Sequence, residues 1–180
     1  MIAGAFKGRR LKAPTWDGLR PSSDKLRETL FNVLAPHIEG ARVLDGYAGT
    51  GAVGIEALSR GATHVTFIER DRRAASLIAA NLTACGIEQG YTIEGGDVPA
   101  VLRRLPASVT FDLVLLDPPY ASDADAIAQA LDAAAVRMAA GAILVLEHAK
   151  RSEPLVPATL ARFRTLASGD SALTFFRSKG

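Results

Sequence analysis

The 180-residue sequence has a single cysteine, Cys85. That excludes an internal disulfide and any Cys-rich zinc centre. A lone thiol among small residues at a helix end is expected to be buried rather than reactive. No apolar stretch reaches the roughly 20 residues that a membrane-spanning helix needs. The opening MIAGAFKGRRLK lacks the apolar core and small-residue cleavage site of a secretory signal. There is no internal repeat and no low-complexity segment. A cytoplasmic protein with no membrane partner and no metal is the default expectation. The net charge is only +2, so the chain as a whole is not a polycation.

Acids are also missing from the first twelve residues, where Lys7, Arg9, Arg10 and Lys12 fall together. A local basic patch of this kind meets phosphates or is simply solvated. Arg20 and Arg27 are second-rank candidates for the same surface. Trp16, in PTWDGLRP, is either a staple onto the domain or a stacking residue. We therefore divide the chain into residues 1–20, a basic arm or hairpin, and residues 21–180, the main domain.

What is present is apolar and alternating. Hydrophobic residues make up 48% of the chain, which suits one packed domain. PSSDKLRETLFNVLAPHI reads as a helix capped by Ser22 or Ser23. From Ala41 on, short apolar runs alternate with helical patterns. ARVLD, HVTFIE, YTIEG, FDLVLLD and GAILVLEH read as strands. GAVGIEALSRG, RRAASLIAANLTACG, VPAVLRRL and DADAIAQALDAAAVRM read as the helices between them. ARFRTLAS and SALTFFRS are two further strands joined by the turn-like GD. Such alternation with continuous apolar strands implies an α/β protein whose parallel sheet is covered on both faces. Ligands of such sheets sit beyond the carboxyl ends of the strands. That rim carries four acids, Asp45, Glu69, Asp97 and Asp117, with Glu147 and His148 following the fifth strand.

VLDGYAGTGAVGIEAL holds Gly49, Gly51 and Gly54 in a GxGxxG arrangement, and Glu69 ends the next strand. The pattern fits the loose dinucleotide fingerprint, in which an acid takes the ribose hydroxyls. Asp45 separates the cofactors. A carboxylate just before the glycine turn repels a pyrophosphate but suits an ammonium. S-adenosylmethionine (SAM) offers an amino-acid end, a sulfonium and a ribose, and no phosphate. Asp45 is then assigned the amino group, Ala48, Gly49 and Gly51 the close backbone approach, and Glu69 the ribose hydroxyls. Asp97 is assigned the adenine amino group, and the Val98 N–H the ring edge. NAD, the runner-up cofactor, explains Glu69 but explains Asp45 and the next motif poorly.

That motif is LLDPPYA, residues 115–121. An exocyclic amine on a planar base is a poor nucleophile, because its lone pair is delocalised into the ring. A site that methylates it must accept hydrogen bonds from its N–H groups and turn the lone pair toward the methyl. Asp117 and the Pro118 carbonyl supply acceptors. Pro118 and Pro119 fix the chain and remove competing donors. Tyr120 offers a stacking face worth ~1–3 kcal/mol. No strong base is needed beforehand, because the nitrogen becomes acidic only as the methyl arrives.

LDPPY resembles the [D/N]-P-P-[Y/F/W] signature of amino-methyltransferases acting on nucleic-acid bases. With FKGRRLKAP, LRPSSDKLRETLFNVL, GIEALSRGA, FDLVLLDPPY and GDSALTFFR, essentially the whole chain resembles the RsmD family of bacterial 16S rRNA (guanine-N(2))-methyltransferases. The resemblance implies a Rossmann-like SAM-dependent methyltransferase fold, with seven mostly parallel strands, a last pair that is antiparallel and helices on both faces. It also implies SAM as methyl donor, S-adenosylhomocysteine as product, and a guanine of 16S rRNA, free or within a small-subunit assembly particle, as substrate. A monomer is expected. The sequence departs from the family after the motif acid, where Gly46 and Tyr47 replace a bulky apolar residue and a Phe; Gly46 is expected to loosen the loop. Two rivals remain. One is a DNA adenine or cytosine amino-methyltransferase, for whose target-recognition region the chain leaves little room. The other is a non-catalytic RNA-binding assembly factor with the same fold.

Overall fold

The computed structural model describes residues 1–16, 24–119, 121–152 and 154–179. Five parallel strands carry the fold: β1 (Arg42–Gly46), β2 (His64–Glu69), β3 (Tyr91–Gly95), β4 (Phe111–Leu116) and β5 (Met138–Ala149). β6 (Leu160–Ser168) and β7 (Ser171–Ser178) form an antiparallel pair, and β7 inserts beside β5. The order across the single seven-stranded sheet is β3-β2-β1-β4-β5-β7-β6. The helices are α1 (Asp24–Ile38), α2 (Ala52–Ser59), α3 (Arg72–Ala84), α4 (Val98–Arg104) and α5 (Ala124–Ala135). The expected seven-stranded α/β architecture is therefore present. Ser22 and Ser23, the expected caps of α1, lie outside the described residues.

The continuous apolar strands follow from burial on both faces. Alternate residues point to opposite sides. Val43, Leu113, Leu115, Ile143, Val145, Leu173 and Phe175 pack with α1, α2 and α3. Leu44, Val114, Leu116, Leu144, Leu146 and Phe176 pack with α4 and α5 on the other side. The strand order reverses between β1 and β4, and a crevice at such a switch point is where sheets of this kind hold ligands. Asp45 and Asp117 stand on its two sides.

Three local expectations are corrected. The last helix stops at Ala135 instead of running to Met138, which already belongs to β5. The cause is Arg137, whose buried guanidinium donates to the carbonyls of Leu102, Leu105 and Pro106 at 2.7–2.9 Å. It satisfies carbonyls at and just beyond the C-terminus of α4. Glu147 and His148 lie inside β5, paired with Leu173 and Ala172 of β7, and do not follow the strand. Residues 1–16 form no hairpin: they contain turns and no strand.

The arm is instead docked. Glu56, fully buried in α2, accepts from the N–H groups of Ile2 and Ala3 at 2.8 and 2.9 Å and from Arg60 Nε at 2.8 Å. Ser59 accepts from the N–H of Phe6 through its hydroxyl and of Ala5 through its carbonyl. Gly4 lies so close that a Cβ there would meet the Ser59 carbonyl oxygen at 1.8 Å. The chain then follows α3 toward the rim. Arg9 donates to the Ala84 carbonyl, Lys12 pairs through its backbone with Asn81, and Trp16 lies under the Arg73 guanidinium, 5.0 Å from the ring centroid. From Ala84 back to Arg73 is about 16 Å of helix.

Candidate functional site

Asp45 sits at the end of β1 with 4% exposure. Its Oδ2 accepts from the Gly54 N–H at 2.8 Å, across the glycine turn. Burial, with Asp117 and Glu69 adding their repulsion, pushes its carboxyl up to about 8 against the favourable Gly54 bond. Asp117 and Glu69 thus both act on Asp45 at the switch-point crevice. The charged neighbours that shift Asp45 are both acids, so a ligand bringing positive charge is favoured there and a phosphate is not.

The loop between β1 and α2 is tightly wound. The Ala48 carbonyl accepts from the Gly51 N–H at 2.7 Å, and the Ala48 N–H donates to the Ile68 carbonyl. Gly51 opens α2 in the left-handed region at φ 76°, which glycine enters without a Cβ penalty. Gly54 serves close packing: a Cβ there would meet the Phe67 ring at 2.3 Å. Gly46 has a packing reason that the sequence does not show. A Cβ on it would meet Leu116 Cδ2 at 2.6 Å, so this glycine is the complement of a bulky leucine on β4. Tyr47 follows in the left-handed region at φ 64°, uncommon for a bulky residue. Its half-buried hydroxyl is raised to about 12 by burial and by Asp97.

Glu69 is more constrained than the sequence suggests. Its Oε2 accepts from the Gly49 N–H and its Oε1 from the Asp71 N–H, both at 2.8 Å. Each oxygen keeps a second lone pair. Asp71 caps α3 and pairs with Arg73, whose hydrogen bonds hold its carboxyl down at about 2. Asp97 is the N-cap residue of α4 and is exposed, with Arg70 Nη1 at 3.9 Å. Val98 begins α4 with its side chain buried.

Across the crevice, the Asp117 N–H donates to the Gly46 carbonyl at 3.4 Å and the side chain is half-buried. Pro118 is buried and Pro119 exposed, and the Pro119 carbonyl accepts from Ser122 N–H at 2.8 Å. Tyr120 and Arg20 lie outside the described residues.

The other basic candidates spread out. Lys7, Arg9, Arg10 and Lys12 are exposed on the docked arm. Arg9 is engaged at the end of α3 remote from the rim. Arg27 does not take the surface position expected of it. It lies on the inner stripe of α1 with Leu30, Phe31 and Leu34, 9% exposed, paired with Asp24 at 2.8 Å. Its Nε has no hydrogen-bond partner among the described residues. Trp16 is a staple on one face, because Arg73 covers its ring.

Asn81 was not singled out by the sequence reading. It is fully buried in α3, and its Nδ2 donates to the carbonyls of Lys12 and of Thr50 in the glycine loop at 3.3 and 3.0 Å. A polar residue on the Ala74–Ile78–Leu82 stripe was the available signal. Among the described residues no group of three His, Cys, Asp or Glu is placed to hold a metal, and no helix is long and apolar enough to cross a membrane.

The family model described as "Conserved hypothetical protein 95" matches residues 1–177. The chain belongs to this family, the RsmD family. It is 43% identical over 122 residues to "Ribosomal RNA small subunit methyltransferase D" of Haemophilus influenzae, covering 67% of this chain and 63% of that protein. The protein of the same name from Escherichia coli K12 is 38% identical over 120 residues, 67% of this chain and 59% of that one. The matched stretch thus spans about three fifths of these relatives' length. Among solved structures, the "Putative methyltransferase yhhF" of Escherichia coli superposes with a TM-score of 0.85 at 32% identity, covering 99% of this chain and 96% of that one. The fold is the Rossmann-like one of such methyltransferases.

Proposed function

We propose that this RsmD-family chain is a SAM-dependent methyltransferase acting on the 2-amino group of a guanine in 16S rRNA. The observation that carries the reading is the meeting of Asp45, Glu69 and Asp117 at the β1/β4 switch point, with Asp-Pro-Pro closing β4. The relatives named for small-subunit rRNA methylation support the substrate class.

The residues fit SAM. Asp45 is a buried carboxylate among acids and is matched by an ammonium. Glu69 has lone pairs left for ribose hydroxyls beside a loop it already holds. Asp97, exposed at the start of α4, is assigned to the adenine end. When bound, SAM supplies an electrophilic methyl on a sulfonium. The chain's own contribution is to bind, orient and accept. Asp117 and the Pro118 carbonyl accept from the amine N–H groups and turn the lone pair outward. These acceptors are fixed before reaction, so they stabilise the charge that develops on nitrogen as the methyl transfers. Tyr120 is assigned the stacking face for an extruded base. Lys7, Arg10 and Lys12 are assigned to RNA phosphates. The product is S-adenosylhomocysteine.

Labelled SAM incubated with the protein and protein-free 16S rRNA, assembled small-subunit particles or duplex DNA tests the reading. Label on a guanine of either rRNA substrate is expected. Label on DNA adenine or cytosine alone would overturn it in favour of the DNA enzyme, and failure to bind SAM would favour an assembly factor.

A further inference from the structure

A second basic feature lies away from the arm. On the sheet face that carries α4 and α5, β5, β6 and β7 leave an open pocket of about 180 Å³. Its orientation follows from register. Leu146 packs on the α4/α5 side, so His148, two residues on, faces the same way, as does Thr174 opposite Leu146. Leu116 pairs with Leu146, so β4 ends beside the part of β5 that runs on to His148. The pocket therefore opens from the strand next to the one that leads into the Asp117–Pro118 turn.

Lys150, Arg151 and Arg162 line the pocket with His148, Thr165 and Thr174. Glu147 alternates to the opposite face. Asp170 lies in the β6–β7 turn, where its carbonyl accepts from the Lys150 N–H at 2.8 Å. His148 is held at both nitrogens, by the Ala149 carbonyl at 2.9 Å and the Thr174 hydroxyl at 2.8 Å. Nδ1 faces a carbonyl and so carries a proton; in the neutral ring Nε2 accepts from Thr174. Thr174 in turn meets the Thr165 hydroxyl at 3.2 Å. The imidazole is thus a fixed wall with hydroxyls beside it, under exposed cationic side chains.

We propose that this pocket is a phosphate subsite, which grips the rRNA backbone beside the target nucleotide. The proposal rests on the methyltransferase reading above. A nucleotide extruded into the Asp117 turn keeps its covalent links to both neighbours. A flanking phosphodiester is therefore carried close to that turn, where the cations of the neighbouring strands can meet it. Contacts of this kind fix position and register and carry no sequence information of their own.

The test uses the full chain with Lys150→Ala and Arg151→Ala combined, and each alone. Binding of protein-free 16S rRNA is measured over a salt series, with SAM affinity by calorimetry in parallel. The combined variant is expected to bind rRNA ~10-fold more weakly, with a log–log salt slope shallower by about one. The loss should fall on KM for RNA, with SAM affinity unchanged. Arg151→Lys should recover most of the binding, since a cation on a long stem remains. Should the combined variant lose SAM affinity, the single variants decide, each expected at ~3-fold weaker RNA binding. Wild-type RNA affinity and salt slope in the variants overturn the subsite, as does weakened binding with an unchanged slope. If the wild-type protein methylates rRNA while the variants bind like it, only the subsite fails. If the wild-type protein neither binds nor methylates rRNA, the reading of the reaction fails and the subsite with it.

Discussion

The two sides of the switch-point crevice are built differently. On the β1–β2 side, each acid is tied to backbone donors: Asp45 to Gly54, and Glu69 to both Gly49 and Asp71. On the β4 side, the strand and Asp117 are followed by two residues that have no N–H to give, then by a turn closed by Ser122 on Pro119. The first side spends its carboxylates on shaping a loop and then presents what remains to a ligand. The second presents acceptors on a stiff chain. One construction suits a cofactor that is held through many groups, the other an amine that must be oriented at a single atom. Substitutions on the two sides should therefore separate binding from chemistry.

The largest expected effect is on the β4 side. Asp117→Ala should lower single-turnover methyl transfer by ~10²-fold or more, because one preorganised acceptor is lost. Its SAM affinity should stay within about twofold of wild type. A fully active variant would remove the distinction between the sides.

Next is Glu69→Ala. Loss of a charged hydrogen-bond acceptor costs ~1.5–3 kcal/mol, so SAM should bind ~10–10²-fold more weakly. The Gly49 and Asp71 N–H groups lose their partner as well, so loop amides should exchange faster in the free protein. Calorimetry and hydrogen exchange read the two effects separately. Unchanged affinity would contradict the assignment of Glu69 to the cofactor.

Asp45 sharpens the comparison through pH. Its folded-state value, about 8, lies above its ordinary 3.8. Its contribution to stability is thus fully present below pH 3.8 and is lost as pH rises through about 8. Asp45→Asn keeps an oxygen for Gly54 and should raise the melting temperature at alkaline pH. An ammonium beside Asp45 favours the ionised form, so binding releases a proton. SAM affinity should rise between about pH 5.5 and about pH 7.5 in the wild type and stay flatter in Asp45→Asn. Equal slopes in both proteins would dissociate Asp45 from the ammonium.

The smallest effect concerns the arm, which reaches the cofactor side indirectly, for example through Asn81 and the Thr50 carbonyl. Gly4→Ala drives a Cβ into Ser59 and should cost ~1–3 kcal/mol, with faster proteolysis of residues 1–16. Gly8→Ala, at φ 83° with open space around it, should cost only its backbone strain, ~1 kcal/mol. Melting curves and limited proteolysis compare them; equal costs would mean that the arm is not packed on α2.

Much of this was legible in the residues. The central strands β1, β2, β4 and β5 showed as continuous apolar runs because each is buried on both faces, and the rim acids Asp45, Glu69 and Asp117 showed because they end those runs. What escaped depends on partners distant in sequence. Arg137 ends α5 early by reaching carbonyls 31–35 residues back. Gly46 looks like a weakness until Leu116 fills its space. Glu56 and Asn81 bind backbone groups 53–69 residues away, which no local pattern announces. Their signal was a polar residue on an apolar helical stripe. Arg27 carried the converse signal: a basic residue counted as surface although its spacing placed it inside.

That the two sides of the crevice serve one reaction on a small-subunit guanine is tested most directly by mass mapping of 16S rRNA from cells lacking this protein. One N2-methylguanosine should be missing, restored by the wild-type chain and not by Asp117→Ala. A complete set of methylguanosines in the absence of the protein would contradict the reading.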